Sequence, residues 1–263
     1  VVGSGPSGMS CAYQLAKLGY QVTVFESGAK AGGMLACAIP RYRLPESVIE
    51  SEMKRIIDLG ITLKLNVAVG KDVLLDDLKK EFKAIYVALG AQNSTVLGVK
   101  GEESGSVYSG LDYLKSIKEN KPLRIGNKVI VIGGGNTALD AARSARRIGS
   151  DVTILYRRTI EEMPAHPSEV EAAQQEGVKI EFLCAPVEIS KSGKTSKAVC
   201  RKMELGEPDD SGRPKPVAVK GSEFSIAFDT LIAAVGQDLR AQGFERLLGS
   251  SWLTADAMGI TGE

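Results

Sequence analysis

The chain begins with VVGSGPSG (residues 1–8), and VIGGGNTA (residues 131–138) repeats this pattern 130 residues later. Each stretch is followed by a segment with apolar residues at helical spacing, a glycine stop and a second apolar stretch, at residues 22–26 and 152–156. Each copy therefore predicts a strand, a glycine-rich turn, a helix and a second, parallel strand. A repeat that keeps its register indicates two units of the same fold in one chain.

The glycines of both copies predict diphosphate binding. A helix N-terminus offers unpaired N–H groups and the positive end of the helix dipole, and a loop without side chains lets a diphosphate come close to them. The positions for the tight turn, the phosphate contact and the helix packing are held by Gly3, Gly5 and Gly8 in the first copy, and by Gly133, Gly135 and Ala138 in the second.

The end of the second strand distinguishes the two ligands. In the first copy this position is Glu26, whose carboxylate can accept hydrogen bonds from a ribose diol, as in FAD or NAD. The second copy has Tyr156 there, followed by Arg157 and Arg158. This predicts NADPH, with the arginines on the 2′-phosphate and Tyr156 or Arg157 beside the adenine. A solvated basic turn is the alternative.

Composition excludes several function classes. The chain has 263 residues, enough for two domains, and a net charge of +1, which does not favour nucleic acid or an anionic membrane as a partner. No apolar run reaches the length of a membrane span, so we expect a cytoplasmic protein. The four cysteines form no Cys-x-x-Cys pair and there is one histidine, so we predict no metal site and no redox dithiol.

Several further expectations concern single stretches. Val1 and Val2 are typical of the end of a buried strand, so we expect the sequence to be a segment of a longer protein. Residues 84–89 predict a buried strand, and residues 197–228 predict antiparallel strands. The arginines of the second helix, at 143, 146 and 147, are predicted to be exposed, and His166 is predicted at the surface or the edge of a cofactor.

These stretches together resemble the small subunit of bacterial glutamate synthase and its relatives, which include the flavin-binding portion of dihydropyrimidine dehydrogenase. The resemblance covers nearly the whole chain in order. The matching stretches are residues 3–26, 32–34, 39–40, 43–45, 69–72, 88–91, 133–140, 156–158, 162–165, 176–178 and 233–237.

The resemblance implies an α/β fold of the glutathione-reductase kind. It has two Rossmann-like dinucleotide-binding domains with parallel central sheets and a small antiparallel β-meander, and the NAD(P)H domain is inserted in the FAD domain. The expected domains are 1–98 for the N-terminal part of the FAD domain, 99–236 for the NAD(P)H domain, and 237–263 for an incomplete segment that returns to the FAD domain.

The resemblance also implies the residues that bind each cofactor. The expected FAD contacts are Gly3, Ser4, Gly5, Pro6, Ser7, Gly8, Glu26, Ser27, Gly32, Gly33, Val69, Ala88 and Gly90. The expected contacts of NADPH, or of NADH, are Gly133, Gly134, Gly135, Asn136, Thr137, Ala138, Asp140, Arg157, Arg158 and Gly236.

The implied activity is transfer of a hydride from NADPH to the flavin, followed by transfer of electrons to iron–sulfur centres in a large-subunit partner or in a missing segment. No catalytic acid or base is predicted, because the cofactors carry this chemistry. Two alternatives stay open. One is a nucleotide-binding or regulatory module without turnover, and the other is a flavoenzyme of the ferredoxin-reductase, disulfide-reductase or monooxygenase type.

Overall fold

The computed structural model describes residues 1–192, 195–209, 212–238, 253–256 and 259–262. The chain divides into two compact units. One unit holds Val1–Asn93 together with Gln237–Glu263, and the other holds Ser94–Gly236. Along the chain, the second unit is therefore inserted in the first.

The first unit contains a small parallel sheet. The elements up to residue 94 are α1 (Pro6–Lys17), β1 (Thr23–Phe25), α2 (Met34–Cys37), α3 (Glu46–Ile57), β2 (Thr62–Lys64), α4 (Leu75–Glu81) and β3 (Asn93–Ser94). Strands β1 and β2 pair in parallel. Val2 forms parallel bridges to Phe25 on one side and to Val87 on the other. The predicted buried strand at residues 84–89 is thus reduced to one bridge, and its residues are half-buried or exposed.

Both faces of this sheet are covered. Helices α1 and α3 pack on one face, where Met9 of α1 meets Val24 of β1 in a buried apolar cluster. Phe25, the next residue along β1, belongs to a second cluster with Leu78 of α4. Successive residues of a strand point to opposite faces, so two adjacent apolar residues require a layer of packing on each side.

The second unit combines a parallel and an antiparallel sheet. Its elements are β4 (Val107–Ser109), α5 (Gly110–Lys118), β5 (Lys128–Ile132), α6 (Asn136–Arg147), β6 (Asp151–Tyr156), a 3-10 turn (Ile160–Glu162), α7 (Pro167–Gln175), β7 (Lys179–Phe182), β8 (Cys184–Ser192), β9 (Thr195–Pro208), β10 (Pro214–Ala218), β11 (Phe224–Phe228) and β12 (Thr230–Ala233). The parallel sheet has the order β4-β12-β5-β6-β7. Its central strands are almost wholly apolar because both of their faces are buried.

The antiparallel sheet is built around the long strand β9, which pairs with β8, β10 and β11. The predicted antiparallel strands within residues 197–228 are confirmed. Strand β8 was not predicted. The parallel sheets and the antiparallel strands confirm the predicted α/β class.

Helix α6 is fixed to α7 by ion pairs. Arg143 Nη2 and Arg147 Nη2 both lie 2.7 Å from Glu176 Oε1, and Arg143 Nη1 also pairs with Glu169. The Arg143 side chain is only 9% exposed, so the prediction of a solvated arginine face was wrong for this residue. A glutamate facing two guanidinium groups makes the burial of Arg143 possible.

Beyond residue 236 the described strands are β13 (Gln237–Asp238) and the antiparallel pair of β14 (Leu253–Asp256) and β15 (Gly259–Gly262). The rest of the predicted return segment at 237–263 lies outside the described residues. Within the described part of the chain, no helix is both long and apolar enough to cross a bilayer.

Candidate dinucleotide-binding sites

The first glycine loop leads directly into α1. Gly5 is the N-cap residue and Pro6 occupies the first helical position, where a missing N–H costs nothing. No side chain of the described residues caps this helix end. The N–H groups of its first turn are therefore available for an anion.

The three glycines of this loop have different surroundings. Gly3 has a φ of 100°, and a Cβ on it would lie 2.3 Å from the carbonyl oxygen of Ala88. A Cβ on Gly8 would lie 1.9 Å from the carbonyl oxygen of Gly3. By contrast, the nearest atom to a Cβ on Gly5 is Gly33 Cα at 3.9 Å. Gly3 and Gly8 are required by packing, whereas Gly5 leaves open space through which a ligand can reach the backbone.

A second pair of glycines, predicted at the same site, lies against this loop. Gly33 has a φ of 54°, and a Cβ on it would lie 2.8 Å from Gly5 Cα. The backbone N–H of Gly32 donates to the carbonyl oxygen of Ser4 at 3.0 Å. The structure thus brings together two predicted stretches that are 28 residues apart in sequence.

Glu26 is held in place by the loop itself. Its Oε2 accepts from the backbone N–H of Ser4 at 3.0 Å and from Ser4 Oγ at 2.5 Å, and its Oε1 accepts from the N–H of Gly28 at 2.7 Å. Ser4 is fully buried, so it orients Glu26 and does not face a ligand. Each carboxylate oxygen can accept more than one hydrogen bond, which leaves Glu26 able to receive a ribose diol.

The sequence did not indicate that Tyr86 lies beside this glycine loop. Its Oη lies 2.8 Å from Oγ of Ser7 in the first turn of α1, and its side chain is 43% exposed. Tyr86 had been assigned to the buried strand at residues 84–89. A tyrosine within an apolar run was the available signal, because its hydroxyl needs a polar partner.

The remaining predicted residues of the first unit lie at different depths. Ala88 contributes its carbonyl next to Gly3, and Gly90 has a φ of 66° at an exposed turn. Ser27 Oγ lies 3.3 Å from Glu26 Oε1. Val69 forms a bridge with Val73 and packs against the Phe25 cluster.

A cavity of about 320 Å³ also opens in the first unit. None of the residues predicted to bind FAD lines it. It is lined by Ala29, Lys30, Ala31, Ala36, Glu46, Ile49, Glu50, Met53, Lys54, Ile57 and Leu65. The glycine loop therefore defines the candidate site, and the cavity does not.

The second glycine loop repeats the geometry of the first. Gly133 has a φ of 138°, and a Cβ on it would lie 2.3 Å from the carbonyl oxygen of Ala234. Gly135 is the N-cap residue of α6, and its Cβ would meet no atom closer than Pro164 Cγ at 3.9 Å. Ala138 is fully buried at the helix-packing position. Again the first and third positions are packed, and the middle one is open.

Tyr156 lies beneath this loop. A Cβ on Gly134 would lie 2.4 Å from its ring, and its hydroxyl donates to the carbonyl oxygen of Glu162 at 2.6 Å. Tyr156 is only 5% exposed, so of the two residues predicted beside the adenine, Arg157 is the exposed one. The flat ring fills the space that the missing side chain of Gly134 leaves.

The two arginines after β6 face in different directions. Arg157 is exposed, and among the residues that the structure describes it has no hydrogen bond or ion pair. Arg158 is 2% exposed, and its Nη2 lies 2.6 Å from Asp209 Oδ2. The burial of Arg158 does not fit a direct 2′-phosphate contact, because its guanidinium is already paired with a carboxylate.

A strap formed by residues 163–166 runs along the second glycine loop. The N–H of Ala165 donates to the carbonyl oxygen of Gly134 at 3.1 Å, and the N–H of His166 donates to Asn136 Oδ1 at 3.2 Å. The His166 ring is exposed, with Nδ1 2.8 Å from Ser168 Oγ at the start of α7. The sequence identifies residues 163–165 only through the resemblance, and it predicts His166 at the surface or the edge of a cofactor.

Three further residues of the second unit were predicted to contact the nucleotide. Asp140 is 4% exposed and lies in the buried part of α6, whereas Thr137 is half-buried near the start of that helix. Gly236 has a φ of 142°, and its carbonyl oxygen accepts from the N–H of Thr95 at 3.0 Å.

Comparison with known proteins agrees with this geometry. The family profile for pyridine nucleotide-disulphide oxidoreductases matches residues 1–252. The NADP(+)-dependent formate dehydrogenase subunit beta of Moorella thermoacetica is 45% identical over 242 residues, which are 90% of this chain and 34% of that protein. The glutamate synthase (NADPH) small chain of Escherichia coli is 35% identical over 252 residues, which are 90% of this chain and 53% of that protein.

A solved structure supports the fold. FprA of Mycobacterium tuberculosis in complex with NADPH superposes with a TM-score of 0.80 at 21% identity, over 92% of this chain and 71% of that one. The predicted fold class and the predicted resemblance to the glutamate synthase small subunit are both confirmed. The chain spans about a quarter to a half of the length of the curated relatives it matches.

Proposed function

Because the chain belongs to the pyridine nucleotide-disulphide oxidoreductase family, we propose that it is the dinucleotide-binding part of an FAD-dependent oxidoreductase that uses NADPH. FAD occupies the first unit and NADPH the second. One observation carries the proposal. Both units present an open glycine position at a helix N-terminus, but one rim carries the anchored carboxylate of Glu26 and the other the free guanidinium of Arg157.

The first site fits FAD. The diphosphate lies against Gly5 and the first turn of α1, where, apart from the chain neighbours of Gly5, Gly33 Cα is the one described atom within 4 Å of the position of a Cβ. Glu26 accepts the ribose hydroxyls. The residues predicted to bind FAD keep that assignment, with Ser4 acting through Glu26. When bound, FAD supplies the redox chemistry, and the chain supplies its position and its electrostatic surroundings.

The second site fits NADPH. The diphosphate lies against Gly135 and the N-terminus of α6, beside the strap at residues 163–166. The N–H of Gly133 donates to the carbonyl oxygen of Leu155 at 3.2 Å. This bond brings the end of β6 next to the glycine loop, so Arg157, two residues further on, lies at the rim. A guanidinium there binds a 2′-phosphate through charge-assisted hydrogen bonds.

The electron acceptor is proposed to be an iron–sulfur protein or an iron–sulfur segment elsewhere in the same protein. Two of the relatives carry names of subunits, the formate dehydrogenase subunit beta and the glutamate synthase small chain, which supports a role within an assembly. We propose the cytoplasm as the location, because none of the four cysteines is in a disulfide, which is typical of a reducing compartment.

The proposal is tested with the purified protein and the variant Arg157→Gln. The unmodified protein should bind FAD, and anaerobic NADPH should bleach the visible absorbance of the bound flavin. We expect Arg157→Gln to raise the Kd of NADPH about tenfold or more, because about 1.4 kcal/mol or more of charge-assisted bonding is lost. The Kd of NADH should stay within about twofold.

Arg124→Gln is the matched control, because Arg124 is an exposed arginine of the same unit. It should change neither Kd. Equal weakening of NADPH and NADH by Arg157→Gln would contradict the assignment of Arg157. A protein that binds NADPH but takes up no FAD would instead indicate the module without turnover. Rapid oxygen consumption without reduction of an iron–sulfur acceptor would indicate the monooxygenase type.

A further inference from the structure

The Arg158 side chain connects three segments of the second unit. Its Nε donates to the carbonyl oxygen of Pro214 at 2.7 Å, and its Nη2 donates to Asp209 Oδ2 at 2.6 Å. Its own carbonyl oxygen accepts from the N–H of Leu183 at 3.2 Å. These bonds link the end of β6 to the β7–β8 connection and to the β9–β10 turn. With 3% of the side chain exposed, Arg158 is part of the interior.

Asp209 is itself fixed in the β9–β10 turn. Its backbone N–H donates to the carbonyl oxygen of Arg213 at 2.8 Å, and its carbonyl oxygen accepts from the N–H of Gly212 at 2.8 Å. Its Oδ1 accepts from the N–H of Arg213 at 3.4 Å. The carboxylate that neutralises Arg158 therefore has little freedom to move away while the turn stays formed.

This pair makes Arg158 a poor ligand for a phosphate. A phosphate that bound Arg158 where it stands would lie beside the Asp209 carboxylate, and like charges at such a distance repel. A phosphate that drew Arg158 outward would break the ion pair between Arg158 and Asp209. Arg157 carries neither penalty, because it is exposed and has no partner within the described residues.

The backbone explains why neighbouring arginines differ. Arg157 and Arg158 lie in a bend of the chain directly after β6 ends at Tyr156. Tyr156 and Arg158 are both buried, and Arg157 between them is exposed. Fixing Tyr156 and Arg158 from inside therefore fixes the direction in which Arg157 projects.

We propose that Arg158 is a positioning residue with Asp209 as its counter-ion, and that Arg157 alone distinguishes NADPH from NADH. This inference rests on the proposed function and deepens it, because it assigns different roles to two arginines that the sequence treats alike. The pair acts through the backbone at residues 157 and 158, and the β9–β10 hairpin becomes a structural support of the nucleotide site.

The test compares the full protein with Arg158→Met, Arg158→Lys and the double variant Arg158→Met/Asp209→Leu. Dissociation constants are measured for NADPH, NADH and 2′,5′-ADP, and the Tm is measured in parallel. We expect Arg158→Met to lower the Tm and to weaken the binding of NADPH and of NADH by the same factor. The ratio of the two Kd values should therefore stay within about twofold of that of the unmodified protein. The double variant should regain part of the lost Tm, because an apolar pair can replace a buried ion pair.

Two results would overturn the inference. The first is an Arg158→Met variant that keeps its Tm but loses the preference for NADPH over NADH by about tenfold or more, which corresponds to about 1.4 kcal/mol. The second is tighter 2′,5′-ADP binding in Asp209→Asn, which would mean that Asp209 withholds Arg158 from the phosphate. Arg158→Lys is the most conservative of these substitutions, and this variant should keep the preference for NADPH over NADH. If the unmodified protein showed no preference for NADPH over NADH, the proposed function itself would be wrong. If the unmodified protein showed the preference and only Arg158→Met lost it, this inference alone would be wrong.

Discussion

The ring of Tyr156 occupies the space next to Gly134 so closely that a Cβ on that glycine would lie 2.4 Å from Cε2. The equivalent residues of the first unit are Glu26 and Ser4, and there the serine donates two hydrogen bonds to the glutamate. The second residue of each glycine motif is therefore matched to the residue at the end of β6 in one unit and directly after β1 in the other. A serine orients a carboxylate in one unit, and a glycine makes room for an aromatic ring in the other.

This relationship predicts that substitution of two neighbouring glycines affects different properties, the stability in one case and nucleotide binding in the other. Gly134→Ala should lower the Tm by several degrees, because overpacking against the Tyr156 ring costs about 1 to 3 kcal/mol. Gly135→Ala should leave the Tm nearly unchanged, since only Pro164 Cγ lies within 4 Å of the new Cβ. It should nevertheless weaken the binding of NADPH and of NADH alike, because the added methyl group occupies the space that the diphosphate needs. Thermal melting and nucleotide titration of both variants check this, and normal nucleotide binding by Gly135→Ala would argue against the loop as the site.

Tyr86 predicts an effect on FAD affinity. The two hydroxyls of Ser7 and Tyr86 lie 2.8 Å apart, so one donates to the other and a single hydroxyl hydrogen remains for a ligand. We expect Tyr86→Phe to raise the Kd of FAD about threefold to tenfold, in line with a net hydrogen bond of about 1 kcal/mol. The Tm of the protein without FAD should not change, because the tyrosine is 43% exposed.

Flavin fluorescence during titration measures this affinity directly. Tyr20→Phe serves as the control, because Tyr20 is an exposed tyrosine of the same unit. If both variants bound FAD like the unmodified protein, Tyr86 would have no part in the site.

Glu176 predicts a pH dependence of stability. The hydrogen bond from Arg147, together with the charge and hydrogen bond of Arg143, lowers the pKa of Glu176 from 4.5 to about 2. A lowered pKa in the folded state means that the pair stabilises the protein above about pH 5, and that this contribution is lost as the pH falls towards 2. Glu176→Gln should therefore lower the Tm at pH 7, with an effect of about 1 kcal/mol after solvent screening.

The difference in Tm between Glu176→Gln and the unmodified protein should shrink steadily between about pH 5 and about pH 2. Glu171→Gln is the control, because Glu171 lies in the neighbouring last turns of α7, is exposed, and among the described residues has a side-chain hydrogen bond only with Gln175. A difference that stayed constant with pH would show that the arginine pairs do not stabilise the fold.

The cysteines predict a pattern of thiol reactivity. Burial raises the pKa of Cys184 to about 11 and that of Cys200 to about 12. Only the thiolate reacts with alkylating reagents. At pH 8 the folded protein should therefore be labelled by iodoacetamide at Cys11 and Cys37, which are partly exposed, before Cys184 and Cys200 react. Mass spectrometry of the peptides checks this, with protein in urea as the reference in which all four react.

The repeat made much of the fold predictable, because backbone geometry dictates it directly. Gly3 and Gly133 need a positive φ and leave no room for a Cβ, so a glycine there can be recognised without knowing any contact. Strand β5 was equally clear, since both of its faces are buried and every residue after Lys128 is apolar. Strand β8 was not predicted, because its apolar and polar residues do not alternate regularly and its pairing with β9 shifts register between Pro186 and Glu188.

The roles of charged residues were much less predictable. Arg157 and Arg158 are identical residues in adjacent positions, and only the β9–β10 turn, some 50 residues later, buries one of them. Arg143 likewise depends on Glu169 in α7 and on Glu176 directly after that helix. Tyr156 depends on Glu162 and on the absence of a side chain at Gly134. In each case the partner is far along the chain or is chosen by packing.

The sequence by itself determined that this protein has two glycine loops at helix N-termini, with a carboxylate at one rim and arginines at the other. Local backbone constraints and side-chain charge are properties of short stretches, so they can be read before the chain is folded. Only the tertiary structure decided which arginine faces a ligand, that Ser4 orients Glu26, and that Tyr86 joins the first site. Burial and partner choice depend on residues brought together by folding, and no short stretch contains that information.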